Sequence, residues 1–104
     1  MQVQTNTDRH ITGSDKLSAH VESVVAGALA RFTEQITRVE VHLSDENGAR
    51  AGGSDIRCVI EARLQGRPPT AVTHQASTVD EAMQGAADKL ARSLESIIGR
   101  LRDR

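Results

Sequence analysis

The pattern that narrows the fold most lies in the last third of the chain. Thr78 is followed three residues later by Glu81, the spacing of a capping box, in which the two side chains satisfy backbone N–H groups at a helix start. From there Met83, Ala87, Leu90, Leu94, Ile97 and Leu101 recur at steps of 4-3-4-3-4, predicting one long helix with a single apolar face. Such a face has to lie on something apolar, and the rest of the sequence supplies strands. "ITRVEVHLS" (36–44) alternates Val39, Val41 and Leu43 against Arg38, Glu40 and His42. "IRCVIEARL" (56–64) puts Ile56, Cys58, Ile60, Ala62 and Leu64 on one side. The glycine-rich stretch "DENGARAGGSD" (45–55) makes the two a hairpin with a long tip, in which Arg38 opposite Glu61 would be a favourable pair, although the loop length leaves the register open.

"MQVQTN" (1–6) and "TAVTHQAS" (70–77) are weaker alternating strands, the second entered through the turn "QGRPP". After the first strand, Ser14 is a helix cap, and Leu17, Val21, Val24, Ala28 and Phe32 form the inner face of a helix from Asp15 to about Phe32. The element order is therefore β-α-β-β-β-α. A sheet with one apolar face and two helices with one each predict an α+β two-layer sandwich. Its four-stranded mixed sheet carries both helices on one face, in the manner of a double-stranded-RNA-binding domain. The first two strands should be parallel through a right-handed crossover and the other pairs antiparallel. A length of 104 residues fits one domain, 1–104, around one core.

Composition removes several function classes. Phe32 is the only aromatic residue, so modules that stack single-stranded bases on rings are excluded. Any nucleic-acid contact must run through phosphates, 2′-hydroxyls and helical shape. No apolar run approaches the roughly 18 residues of a membrane span, and no basic-then-apolar leader is present. One cysteine gives no internal disulfide, which fits a reducing compartment. These features lead us to expect a cytoplasmic protein without a membrane.

The search for catalytic chemistry is negative. Cys58 points inward while His42, on the neighbouring strand, points outward. His10, His20, His42 and His74 lack metal-ligand spacing, and His74 reads as a structural histidine on the apolar side of the fourth strand. "GARAGG" (48–53) lacks the lysine and hydroxyl of a phosphate loop. Asp80 and Glu81 are accounted for by helix capping. No enzyme activity, cofactor, metal or small-molecule substrate is expected.

The charges are arranged rather than abundant, with a net charge of −1. At 100° per residue, Lys89, Arg92, Ser96 and Arg100 fall within about 80° of one another, while Asp88 and Glu95 take the far side. Lys16, His20 and Arg31 line up on the first helix. Cations near a helix C-terminus also complement the helix dipole, so the stripes alone do not decide for RNA.

The order of elements, "NTD" (6–8), "VEVHLSDEN" (39–47) and above all "VDEAMQGAADKLARSLE" (79–95) resemble the ribosome hibernation-promoting factor / ribosome-associated inhibitor family, in its short form and over essentially the whole chain. That resemblance implies a translation-silencing factor of stationary phase or stress. Its partner would be the small ribosomal subunit, held in the channel of messenger and transfer RNA through contacts to ribosomal RNA. By position, Lys89 and Arg92 match the family's basic helix and Arg100 and Arg102 its basic tail, with Lys16 and Arg31 in support. The sequence departs from the family where Glu95, Ser96, Ile97 and Ile98 replace further lysines. An alternative is a protein-interaction module of the same fold, with weakened RNA binding and an exposed isoleucine from the 97–98 pair.

Overall fold

The computed structural model describes residues 1–48 and 55–102, with side chains described as far as Arg100. The tip "GARAGG" therefore lies largely outside the described residues, as does the Arg102 side chain. The elements are β1 (Gln2–Thr7), α1 (Asp15–Ala28), a 3-10 turn (Ala30–Phe32), β2 (Ile36–Asp45), β3 (Ile56–Leu64), β4 (Thr70–Ala76) and α2 (Val79–Arg102). The sheet order is β1-β2-β3-β4, with β1 parallel to β2 and the remaining neighbours antiparallel. This is the α+β two-layer arrangement that the periodicities predict. α2 packs on β3 and β4, and α1 packs on β1 and against α2.

Local chemistry fixes the helix starts. The Leu17 N–H donates to Ser14 Oγ at 3.0 Å. The Glu81 N–H donates to Thr78 Oγ1 at 3.1 Å, and that hydroxyl donates to the Glu81 carboxylate at 3.0 Å. The core between the layers is aliphatic apart from Phe32. Val39, Val41, Cys58, Ile60 and Ala62 of the sheet meet Val21, Val25, Met83, Leu90 and Leu94 of the helices, all essentially inaccessible. Each buried Leu, Ile or Met contributes on the order of 1.5–3 kcal/mol.

Two expectations are corrected, and one open question is decided. α1 ends at Ala28, not near Phe32. Leu29 leaves helical geometry at φ −106°, ψ 16°, and the following 3-10 turn swings Phe32 into the core. The buried face of this segment is thus Val21, Val25, Leu29 and Phe32, with Leu17, Val24 and Ala28 at its rim. In α2 the buried stripe continues from Leu94 to Ile98, while Ile97 is half-buried beside the β3–β4 turn. The hairpin register, which the loop length left open, puts Arg38 opposite Arg63, and Glu40 opposite Glu61. A two-residue slip leaves every apolar side chain on the same face, so alternation cannot distinguish these registers. The bulge at Thr37, whose hydroxyl donates to the Arg63 carbonyl at 3.1 Å, accompanies the observed one. Like charges then face each other across the strands, and each is compensated along its own strand. Arg38 pairs with Glu40 at 3.0 Å and Arg63 with Glu61 at 3.4 Å.

His74 does face α2, half-buried, with its ring against Gly85. A Cβ at residue 85 would overlap that ring, so glycine is what lets the helix come this close to β4.

Candidate nucleic-acid interface

The two sides of α2 have opposite electrostatic roles. One side faces α1. There Asp80 meets His20 at 2.8 Å, and Glu95 takes both terminal nitrogens of Arg31 at 3.4 Å. The Arg31 guanidinium also lies 5.2 Å over the Phe32 ring. Asp80 and Glu95 of α2, with His20 of α1 and Arg31 just after it, are therefore the two halves of one interhelical seam. Exposed pairs of this kind hold register more than they add stability, about 0–1 kcal/mol each.

The other side carries Lys89, Arg92, Ser96 and Arg100, all exposed. The Lys89 ammonium donates to the Thr73 carbonyl at 2.9 Å. β4 is an edge strand, so this bond places the stripe over the open edge of the sheet. Arg92 and Arg100 have no ion pair or hydrogen bond among the described residues. Lys16, at the start of α1, is likewise exposed and unpaired, but stands on the other helix. Of the six candidate residues, Lys89, Arg92 and Arg100 share one surface, whereas Arg31 is held in the seam. Arg102 lies in α2, and its side chain is outside the described residues.

A fourth cation joins this surface from elsewhere in the chain. Arg67, in the turn between β3 and β4, lines a cleft of about 300 Å³ together with Arg100, Leu64, Pro68, Pro69, Thr70 and Ile97. Arg67 is exposed and without a partner among the described residues. Sequence reasoning reads "QGRPP" as a turn and no more. Nothing in linear spacing connects residue 67 with residue 100.

The outer face of the sheet has the opposite character. Arg38, Glu40, Glu61 and Arg63 are intermixed and paired, and Arg57 reaches Glu46 at 3.7 Å. At the base of the hairpin loop, Asp45 Oδ1 accepts backbone N–H groups from Asn47, Gly48 and Asp55 at 3.1, 3.1 and 3.3 Å. Desolvation pushes its carboxyl pKa up, but these bonds and the nearby His10 outweigh it and leave it lowered. The acidic shoulder of the hairpin is thus engaged in folding its own loop.

Nucleophilic chemistry finds no support at Cys58. Burial pushes its thiol up to about 12, so it stays protonated near neutrality. Among the described residues, no group of three or more His, Cys, Asp or Glu side chains is placed to hold a metal, and no helix is long and apolar enough to cross a membrane.

With this geometry in hand, the relatives are informative. Residues 5–102 match the family described as Sigma 54 modulation protein / S30EA ribosomal protein. The chain belongs to that family. No curated protein matches the sequence. Among solved structures, the Thermus thermophilus Protein Y N-terminal domain superposes with a TM-score of 0.75 at 20% identity, covering 93% of this chain and 99% of that one. A ribosomal subunit interface protein from Coxiella burnetii gives a TM-score of 0.62 at 13% identity, with each chain covered in full. At these identities the likeness is one of fold. The family match is what places the chain, and it spans both helices and all of the sheet except the first residues of β1.

Proposed function

We propose that this protein is a non-enzymatic, cytoplasmic ribosome-associated factor of the hibernation type, acting as one domain over residues 1–104. It binds the small ribosomal subunit in the channel of messenger and transfer RNA, and so silences translation in stationary phase or stress. Lys89, Arg92, Arg100 and Arg102 contact ribosomal RNA backbone, and Lys16 adds a further cation from α1. Membership of the S30EA family supports the ribosomal partner. The observation that carries the RNA contact is the sorting of α2. Asp80 and Glu95 are paired toward α1, while Arg92 and Arg100 are left exposed and unpaired among the described residues.

Arg31 serves this reading indirectly, by fixing α1 against α2. The alternative of a protein-interaction module drew on an exposed isoleucine. Ile98 is only 7% exposed and Ile97 is half-buried, so among the described residues that surface has no large apolar anchor.

Sedimentation with purified small subunits at graded salt tests the proposal. The protein should co-sediment at low salt and be released as salt rises, because each phosphate contact adds about 0.7–0.9 to the logarithmic salt slope. The double reversal R92E/R100E should abolish co-sedimentation without unfolding the protein. Failure of the unmodified protein to co-sediment even at low salt would remove the proposal.

A further inference from the structure

Arg67 is far from the α2 stripe in sequence and at its end in space. We infer that the cleft between Arg67 and Arg100 is a phosphodiester-binding subsite, holding one RNA strand whose neighbouring phosphates run along Arg92 toward Lys89. This rests on the ribosomal reading above and adds to it a residue of a different element and a defined ligand chemistry.

Four observations converge. Two guanidiniums line one cleft, and neither has a carboxylate or other partner among the described residues. Like charges gathered this way repel until an anion joins them, and guanidinium forks match phosphate oxygens in bidentate fashion. Leu64, Thr70, Ile97 and two prolines complete the lining, so among the described residues no carboxylate stands in the cleft wall to neutralise the two guanidiniums. The turn is preset, because Gly66 sits at φ 71°, the Arg67 N–H bonds the Leu64 carbonyl at 3.3 Å, and Pro68 and Pro69 have restricted φ. Little ordering of the Arg67 backbone therefore remains to be done on binding.

Continuity selects the class of ligand. Arg92 and Arg100 are eight residues apart, about 12 Å along the helix, and the cleft sets Arg67 beside the Arg100 end of that line of positive charge. A ligand that follows it presents anions repeatedly along its backbone, which a polynucleotide does. An acidic peptide would bring carboxylates on separate side chains and would need apolar anchors, and among the described residues the stripe exposes no large apolar side chain to receive them. The absence of Trp and Tyr fits recognition through phosphates rather than stacked bases.

The test is binding to small subunits across a salt series, comparing the unmodified protein with R67A, R92A and R57A. Arg57 belongs to the paired outer face, and R57A controls for the lost charge. R67A is expected to weaken binding about tenfold at low salt, the scale of one lost charged hydrogen bond, and to lower the salt slope by about 0.7–0.9. R57A should leave both quantities unchanged, and the unfolding midpoint of R67A should equal that of the unmodified protein. If R67A behaves as R57A does while R92A still lowers the slope, the cleft is overturned and the ribosomal reading stands. If the unmodified protein does not bind, both fall. A competition arm decides the ligand class. Displacement of bound protein by a short single-stranded RNA supports the inference, and displacement by polyglutamate alone overturns it.

Discussion

Gly85 and His74 illustrate how one residue's identity is set by another. A methyl group at position 85 would raise intrinsic helix propensity by roughly 0.8–1.0 kcal/mol, yet it would overlap the His74 ring. G85A is therefore expected to destabilise the protein by about 1–3 kcal/mol, the usual scale of overpacking. In an H74A background the same change should become neutral or stabilising, and denaturant unfolding of the four-member cycle measures the difference. Cys58 gives a second residue-level expectation. Its thiol is raised from 9.0 to about 12 by burial, so the folded state holds its proton where the unfolded state releases it. The stability this contributes is complete below the unfolded pKa and is lost as pH rises from about 9 toward 12. Relative to C58A, the unmodified protein should lose about 1.4 kcal/mol per pH unit across that window. Native Cys58 should also resist thiol reagents at pH 8 until the chain unfolds. The inward orientations of Cys58 and His74 are legible from strand parity alone. The need for glycine at 85 is not, since it exists only once α2 is laid on β4.

At the scale of elements, beginnings were more legible than ends. Ser14 and the Thr78–Glu81 box act within three residues of their own position, so a sequence window contains the whole interaction. T78A is expected to cost about 1 kcal/mol, and T78S to restore most of it, as read by thermal or urea unfolding. The end of α1 is a tertiary event. Phe32 reaches the core through a 3-10 turn, and no local signal separates that from one further helical turn. The exchange of Ile97 for Ile98 has a similar cause. Near its end α2 has two neighbours, with Ile98 beside Phe32 and Ile97 beside the β3–β4 turn, so a single seam no longer describes it. Strand register escapes the sequence for a third reason. Alternation fixes which face is buried and leaves slips of two residues open, and a bulge at Thr37 takes part in the choice.

Across the whole molecule, a net charge of −1 conceals two populations of cations with different duties. Arg31, Arg38, Arg57 and Arg63 each face a carboxylate, and together they fasten the helix seam and the outer sheet. Lys16, Arg67, Arg92 and Arg100 face none among the described residues, and three of these four lie at or along one side of α2. The helical wheel made the stripe of Lys89, Arg92 and Arg100 legible. Assigning Arg31 to the seam required the second helix in place, and Arg67 required the sheet. This division predicts opposite phenotypes for equal changes of charge. R92E and R100E break no ion pair among the described residues, so each should lower the free energy of unfolding by no more than about 1 kcal/mol through like-charge and helix-dipole terms, while ribosome binding falls steeply. R31E meets Glu95 directly, so it should lower stability and leave two carboxylates opposed in the seam. Its effect on binding should then be recovered by E95R, which restores the pair with its signs exchanged. Net charge alone would make R31E and R92E equivalent in both assays. Unfolding curves and sedimentation measured on the same preparations therefore separate placement from total charge, and equal behaviour of the two variants would refute the division argued from the structure.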